Sequence, residues 1–224
     1  MNRRTLPDRE TLEAALRARL LMAKIEIEAA VEFYDQTDRY FRKKIDEWER
    51  KNAAHSAAYW EEDLGGITRG DLESERGLEL RDKLRLNSYF GILNIFGSFE
   101  RLLLRIFQDM KQSKRMKDKW QKRQPYLTID GYKDCLKAIG INLTKSPFKW
   151  GEIIKLQAFR NAIAHQNGFV TEENVNRLRA YGYKLDQMIE IKETYFRTSV
   201  ELVNDSSSRL VKEYGRTLQK KTKR

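Results

Sequence analysis

Apolar residues recur every three or four positions along the first 50 residues of the chain. The stripe consists of Leu12, Leu16, Leu20, Ala23, Ile27, Ala30, Tyr34, Phe41, Ile45 and Trp48, with one turn skipped. This spacing predicts one long amphipathic helix, which Pro7 and Asp8 are suited to begin. No glycine interrupts it before Gly65-Gly66. Such length without internal caps predicts a helical arm that packs against a partner helix, in this chain or in another subunit.

The pattern after Gly65-Gly66 predicts further helices joined by short connections. We expect them at about 72–112, 128–138, 148–167, 171–182 and 193–218, with an extended connector over 187–192. The stretch from Tyr89 to Glu100 is apolar nearly all round, which predicts the central core helix. Glu100 is an acid inside this run, and a buried carboxylate is costly unless it is paired. We therefore expect Glu100 to meet a cation or a backbone donor, or to lie beside an active site.

The composition favours a mostly helical soluble protein. Of 224 residues, 34% are charged and only 3 are proline, a profile typical of helical proteins. The formal net charge of +11 predicts a polyanionic partner, with nucleic acid ahead of an acidic membrane surface. The alternative is that the surplus of lysine serves solubility alone.

Other classes of protein are disfavoured by what the chain holds. Cys135 is the single cysteine, so neither an intrachain disulfide nor a zinc cluster is expected. The N-terminal residues show no apolar signal core, and no run approaches the ~18 apolar residues of a membrane span. We therefore expect a cytoplasmic protein without metal or other cofactor, and no membrane partner.

A basic run follows the central helix. It contains the candidate RNA-binding residues Lys114, Arg115, Lys117, Lys119, Trp120, Lys122 and Arg123. Cations interleaved with aromatic side chains can hold phosphates and stack bases. An exposed, solvated loop explains the same run equally well.

The segment Arg160-Asn161-Ala162-Ile163-Ala164-His165 carries the most distinctive chemistry. It holds one of the chain's two histidines, and a fixed cation with a titratable imidazole can cleave a phosphodiester without a metal. On a helix, Arg160 and His165 lie on opposite sides of the core-facing stripe, and Asn161 shares a face with His165. The last turn of a helix favours the imidazolium, and the guanidinium fork suits phosphate oxygens. From spacing alone, ordinary surface positions are the favoured interpretation of Arg160 and His165, since any chain with one helical histidine offers such pairs.

The same segment resembles the R-x4-6-H signature of HEPN domains, including the polar residue directly after the arginine. Trp150-Gly151-Glu152-Ile153-Ile154 before it and Gln166-Asn167-Gly168 after it resemble the family's flanks. Ser98-Phe99-Glu100-Arg101-Leu102 resembles the first core helix of the family, which often carries an acidic residue near the active site. The resemblance covers roughly residues 81–218 and leaves out the N-terminal arm.

The resemblance implies an all-α, up-and-down helical bundle of HEPN type, to which the apolar pattern of the first 50 residues adds a long N-terminal helical extension. The domain organisation would be an arm over 1–66, a HEPN-like bundle over 67–219 and a basic tail over 220–224. It also implies a metal-independent endoribonuclease of a toxin–antitoxin or antiviral defence system, acting on single-stranded or tRNA-like RNA. A homodimer would form a composite site.

In that site the resemblance gives Arg160, Asn161 and His165 catalytic roles, with Glu100 in support. His165 would act as general base or acid, Arg160 would stabilise charge on the phosphoryl oxygens, and Asn161 would position one of them. An antitoxin or a defence-complex subunit would be a further partner. Two other readings stay open, namely a non-catalytic HEPN module that binds RNA or protein, and a helical assembly protein.

Overall fold

The computed structural model describes residues 9–112, 129–145 and 148–222. Its helices are α1 (Arg9–Ala53), α2 (Ala57–Trp60), α3 (Arg69–Gln112), α4 (Ile129–Ala138), α5 (Trp150–Gln166), α6 (Val175–Leu178) and α7 (Glu193–Thr222), with a 3-10 turn over Arg179–Tyr181. The described residues hold no strand, only two isolated bridges. The all-α prediction is confirmed.

The arm folds back on its own chain. α1 runs antiparallel along α3, because Arg19 pairs with Asp109 at one end and Trp48 Nε1 donates to Glu73 at 3.1 Å at the other. Buried residues of α1, among them Ile27, belong to the same core as those of α3. The question left by the sequence, whether the arm packs in this chain or in another, is answered in favour of this chain.

The reversal between α1 and α3 begins earlier than the double glycine. α1 ends at Ala53, and the short α2 follows. Asp63 then accepts hydrogen bonds from the backbone N–H groups of Gly65 and Gly66 at 3.0 and 2.7 Å. Both glycines have positive φ angles, a conformation that other residues adopt only with strain. The glycine pair therefore closes the turn that lets α3 return beside α1.

α3 is the central helix, as its apolar run predicts. Its buried side chains are Tyr89, Ile92, Ile95, Phe96, Phe99, Leu102, Leu103, Ile106 and Phe107. α1, α5 and α7 all pack on it. Helices therefore surround α3 on most of its circumference, and this arrangement fixes where the side chains of the candidate motif lie.

α7 joins the other side of α1. The ring of Phe196 stacks on Tyr34 with centroids 3.9 Å apart, and Arg197 pairs with Asp35. A Cβ at Gly91 of α3 would overlap the ring of Phe196, so this glycine is what allows α7 to approach α3. α7 continues to Thr222, beyond the predicted end at Leu218, so the first residues of the expected tail are helical.

The connection between α5 and α7 is mostly irregular, as predicted for its second half. The predicted helix over 171–182 is reduced to α6 and the 3-10 turn. In the connector, Ile189 and Ile191 are buried, and Met188 forms an isolated bridge with Phe169. The segment therefore covers the end of α5 with apolar side chains.

Candidate functional site

α5 carries the Arg160–His165 motif and packs on the core through a row of apolar side chains. Ile153, Leu156, Phe159 and Ile163 are buried, and they form the core-facing stripe that the helical period predicts. The polar motif residues lie off this stripe: Arg160 and Asn161 are half-buried, and His165 is exposed. α5 thus holds the motif at the surface, and the buried face of α5 fixes the position of the helix.

The C-terminal end of α5, next to His165, is held by backbone geometry. Asn167 and Gly168 both have positive φ angles, of 51° and 83°, and Gly168 N donates to Ala162 O at 3.0 Å. Such a left-handed ending satisfies carbonyls of the last turn. Asn167 is thus the C-cap of α5, and Gly168 is the residue directly after it.

The same helix end is tied to α3 and to the connector. Gly168 lies against the ring of Tyr89, where a Cβ would overlap the phenol group. The Tyr89 hydroxyl donates to Ile189 O at 2.6 Å, and Ile189 N donates to Gly168 O at 2.8 Å. These contacts join three segments around one glycine, so the position of His165 depends on residues far from it in sequence.

The Arg160 guanidinium is held at two of its nitrogens. Nη2 donates to Glu100 Oε2 at 2.9 Å, and Nη1 donates to Asn161 Oδ1 at 2.9 Å. The side chains of Arg160 and Glu100 are 28% and 32% exposed, so the pair lies at the border between core and solvent. A ligand can therefore reach a guanidinium whose orientation is already set.

The apolar run of α3 predicts that Glu100 is paired. Its partner is Arg160. Burial raises the pKa of Glu100 above its ordinary value of 4.5, while the charge and hydrogen bond of Arg160 act in the opposite direction. Because the net shift is upward, the ion pair only partly offsets the desolvation of this carboxyl group.

Tyr132 of α4 is a neighbour of this pair that the sequence reasoning missed. Burial raises the pKa of Tyr132, and the negative charge of Glu100 raises it further. Its ring packs edge-on against Phe107 at a centroid distance of 5.9 Å. Neither spacing nor composition links Tyr132 to Glu100 in the sequence, so only the packing of α4 on α3 places them together.

His165 stands apart from the hydrogen-bonded group. It lies five residues after Arg160, which corresponds to about 140° around the helix and 7.5 Å along it. Among the described residues, His165 makes no hydrogen bond or ion pair, whereas Glu100, Arg160 and Asn161 are joined. Asn161 belongs to the hydrogen-bonded group and lies one turn before His165 on the same face of α5. It is therefore the member of that group that links Arg160 to the face of His165.

Ala158 and Ala162 lie on the turns beneath His165. They are only 8% and 0% exposed, so the packing of this chain already covers them and they do not form a free surface for a ligand. Ala164, directly before His165, is the exposed alanine of the motif.

The predicted RNA-binding run lies outside the described residues. It consists of Lys114, Arg115, Lys117, Lys119, Trp120, Lys122 and Arg123. α3 ends at Gln112, directly before this run, and α4 follows it. The run is therefore attached to the two helices that carry Glu100 and Tyr132.

A cavity of about 550 Å³ lies at the other end of α5. Its lining includes Lys149, Glu152, Tyr195, Ser199 and Asp205, and none of the motif residues. Lys149 precedes His165 by 16 residues, or about 24 Å along a helix. This cavity is therefore separate from the candidate site.

Other chemical features of the described residues are few. His55, the second histidine, stacks on Tyr59 with centroids 3.6 Å apart. In the part of the chain that the structure describes, no three His, Cys, Asp or Glu side chains are placed to share a metal ion. No described helix is long and apolar enough to cross a bilayer.

Comparison of the chain with protein-family models, with curated proteins and with solved structures finds no match.

Proposed function

We propose that this protein is a metal-independent endoribonuclease of HEPN type, acting as a toxin or antiviral effector. The observation that carries the proposal is the fixed guanidinium of Arg160. It is oriented by Glu100 and Asn161, and an exposed histidine follows on the same helix. A preset cation and an accessible imidazole are the groups that this reaction requires.

The reaction would be an internal transfer of the phosphoryl group. The 2′-hydroxyl oxygen of the RNA attacks the adjacent phosphorus, and the bond between phosphorus and the 5′-oxygen of the next nucleotide breaks. A base takes the proton of the 2′-hydroxyl, and an acid gives a proton to the departing 5′-oxygen. The products are a 2′,3′-cyclic phosphate and a 5′-hydroxyl, so no water and no oxidant is consumed.

Each motif residue has one task in this scheme. His165 is the group that moves a proton, as base or as acid. Arg160 donates to the non-bridging phosphoryl oxygens as negative charge builds on them. Asn161 and Glu100 are positioning residues, because each accepts a hydrogen bond from the Arg160 guanidinium.

A homodimer completes the scheme. Proton removal and proton delivery require two groups, and one chain offers a single exposed histidine on α5. Two copies with their α5 helices near one axis would bring two His165 side chains to one scissile phosphate. The net charge of +11 favours RNA at such a cleft.

The test is incubation of the purified protein with total cellular RNA in EDTA, followed by identification of the fragment ends. We expect cyclic-phosphate ends from the wild type and none from His165→Ala. His55→Ala is the matched control, because it removes the other histidine, and it should cleave like the wild type. Cleavage by His165→Ala at the wild-type rate would refute the proposal.

A second candidate function is a HEPN-type module that binds RNA without cleaving it. The Glu100 pairing favours this alternative, because a carboxylate bound to Arg160 offsets the positive charge that would stabilise a developing oxyanion. Filter binding, together with the cleavage assay, separates the two functions. If the protein is a binding module, the wild type and His165→Ala both retain RNA on the filter, and neither of them produces fragments.

A further inference from the structure

The cavity of about 550 Å³ at the N-terminal end of α5 lies between that helix and α7. We call it the α5–α7 cavity. Its lining on the α7 side includes Tyr195, Ser199, Leu202 and Ser206, which are three or four positions apart and therefore share one face of the helix. From Tyr195 to Ser206 this face is about 16 Å long. Pockets of this volume typically hold small organic ligands.

The cavity is lined by charged side chains of both signs that do not pair with each other. Beside the start of α5 these are Lys149 and Glu152, and on α7 they include Glu201 and Asp205. None of these four forms an ion pair with a described residue. Opposite charges that line one cavity without meeting are complementary to a ligand that carries both signs.

One end of the cavity has an unused hydroxyl group. Ser206 is only 5% exposed and forms no hydrogen bond with a described residue, although it lines the cavity. Serines within helices often donate to the carbonyl four residues earlier, as Ser199 does at 2.8 Å. Unlike the Oγ atom of Ser207, which is fully enclosed, that of Ser206 stays accessible from the cavity. Because a buried hydroxyl without a partner is costly, Ser206 is suited to bind a ligand group.

The first turn of α5 adds further donors beside this hydroxyl. Lys149 is the N-cap and makes no side-chain capping bond, so the N–H groups of Trp150 and Gly151 have no acceptor within the helix. Trp150 lines a narrower pocket that adjoins the cavity, and its buried Nε1 has no partner. Asp205 and Arg209, four residues apart on α7, contribute opposite charges here. The lysine and the positive end of the helix dipole therefore favour an anionic group at this end.

The opposite end of the cavity is acidic and aromatic. Glu152 lies near Tyr195, because burial raises the pKa of this phenol and the negative charge of Glu152 raises it further. The Tyr195 ring already contacts an ammonium group, since Lys155 Nζ lies 5.5 Å from its centroid. Glu201 supplies a second carboxylate from α7. Carboxylates beside an aromatic ring are a favourable environment for an organic cation.

The two ends have a definite spacing. Ser206 lies beside the start of α5, whereas the ring of Tyr195 contacts Phe159 farther along that helix, with centroids 5.2 Å apart. Glu201 precedes Ser206 by five residues, or about 7.5 Å along α7, and the apolar Leu202 lies between them in sequence and lines the cavity. An extended lysine separates its carboxylate from its ε-ammonium group by about 7 Å, at bond lengths of about 1.5 Å. Its four methylene groups would match an apolar side chain between the ends.

We propose that the α5–α7 cavity binds lysine through its free carboxylate and its ε-ammonium group, either as the amino acid or as the last residue of a peptide. The carboxylate accepts hydrogen bonds from Ser206 and from the first N–H groups of α5. The methylene chain lies on Leu202, and the ammonium group meets Glu152 and Glu201 beside the ring of Tyr195. The cavity contains no residue of the candidate motif, so this inference does not depend on the proposed function.

The test is isothermal titration calorimetry of the full chain with 6-aminohexanoate, which has the two charged groups of lysine at the same separation and lacks the α-amino group. We expect one ligand to bind per chain. 4-Aminobutanoate, which is too short, and hexanoate, which has no ammonium group, should bind at least about tenfold more weakly. Hexanoate that binds as tightly as 6-aminohexanoate would overturn the proposal, because the cavity would then recognise an anion alone.

Two further ligands distinguish the sources of the lysine. Nα-acetyl-lysine resembles the last residue of a peptide, and its tighter binding than free lysine would assign the cavity to peptide ends. The reverse order would assign it to the amino acid. Lysinamide lacks the carboxylate, and its binding as tightly as lysine would overturn the proposal.

Ser206→Ala and Glu201→Gln test the two ends of the cavity separately. Each should weaken the binding of 6-aminohexanoate about tenfold. Neither side chain forms a hydrogen bond or an ion pair with a described residue, so the Tm should not fall. Ser208→Ala and Glu172→Gln make the same exchanges outside the cavity lining and should bind like the wild type. A wild type that binds no 6-aminohexanoate at millimolar concentrations, or cavity variants that bind it unchanged, would overturn the proposal.

Discussion

Arg160 of α5 donates to Glu100 of α3 at 2.9 Å, and this pair links the candidate motif to the central helix of the fold. It places a permanent positive charge at the surface in a fixed orientation. It also leaves Glu100 as an acid whose ionisation depends on its neighbours.

Replacing Arg160 should separate catalysis from folding. We expect Arg160→Ala to reduce RNA cleavage by about 10²–10³-fold, the usual effect of losing one donor to a developing oxyanion. Arg197→Ala is a suitable control, because Arg197 also pairs with a carboxylate across two helices but lies away from the motif. Equal cleavage rates for Arg160→Ala and Arg197→Ala would remove Arg160 from the mechanism.

Glu100→Gln should change how stability depends on pH. Burial raises the pKa of Glu100 in the folded protein, so the folded state holds this proton more tightly than the unfolded state does. Glu100 therefore contributes stability below its ordinary pKa and loses it as the pH rises through the raised value. Glutamine does not ionise, so the Tm of the variant minus that of the wild type should increase between about pH 4 and pH 7. Parallel curves would contradict the upward shift.

Gly168→Ala should destabilise the end of α5. The new methyl group would overlap the Tyr89 phenol, and the φ angle of 83° is unfavourable for alanine. We expect a loss of about 2 kcal/mol or more, which corresponds to a Tm lower by about 4–8 °C for a chain of this size.

Gly151→Ala is the control for that measurement. It lies at the other end of the same helix, with nothing within 4 Å of an added Cβ. Alanine there should leave the Tm unchanged or slightly raise it. If both alanine variants melt at the same temperature, the contact between Gly168 and Tyr89 does not hold the helix end.

Charge reversal in the basic run should weaken RNA binding. The variant carries glutamate at Lys114, Arg115, Lys117 and Lys119 together, and its affinity for single-stranded RNA is measured at several salt concentrations. Each lost phosphate contact should reduce the slope of log affinity against log salt by about 0.7. Reversal of Lys43, Lys44, Arg50 and Lys51 on α1 controls for net charge. If the two variants lose a similar amount of RNA affinity, the basic run is a solvated loop and not an RNA-binding site.

Much of the local structure could be predicted because it depends on local patterns. The apolar period of α1 and of α3 follows from residues three or four positions apart. The buried acid in an apolar helix likewise predicts a partner for Glu100, because an unpaired carboxylate is costly.

Contacts between distant segments could not be predicted in the same way. Spacing does not show that the partner of Glu100 is Arg160, 60 residues later, or that Tyr132 lies near them. The burial of Ala158 and Ala162 could not be predicted for the same reason, since small residues suit either a free surface or a close internal contact. Which of these applies depends on where the other helices pack.

The sequence by itself determined the helical class, the order and approximate length of the long helices, and which residues make up the candidate motif. These depend on periodicity and on side-chain type, which are properties of short segments. Only the tertiary structure decided that α1 returns along its own α3, that Glu100 fixes Arg160, and that α5 and α7 line one cavity. Each of these is a contact between residues far apart in the chain, and such contacts are set by the simultaneous burial of several helices rather than by any one of them.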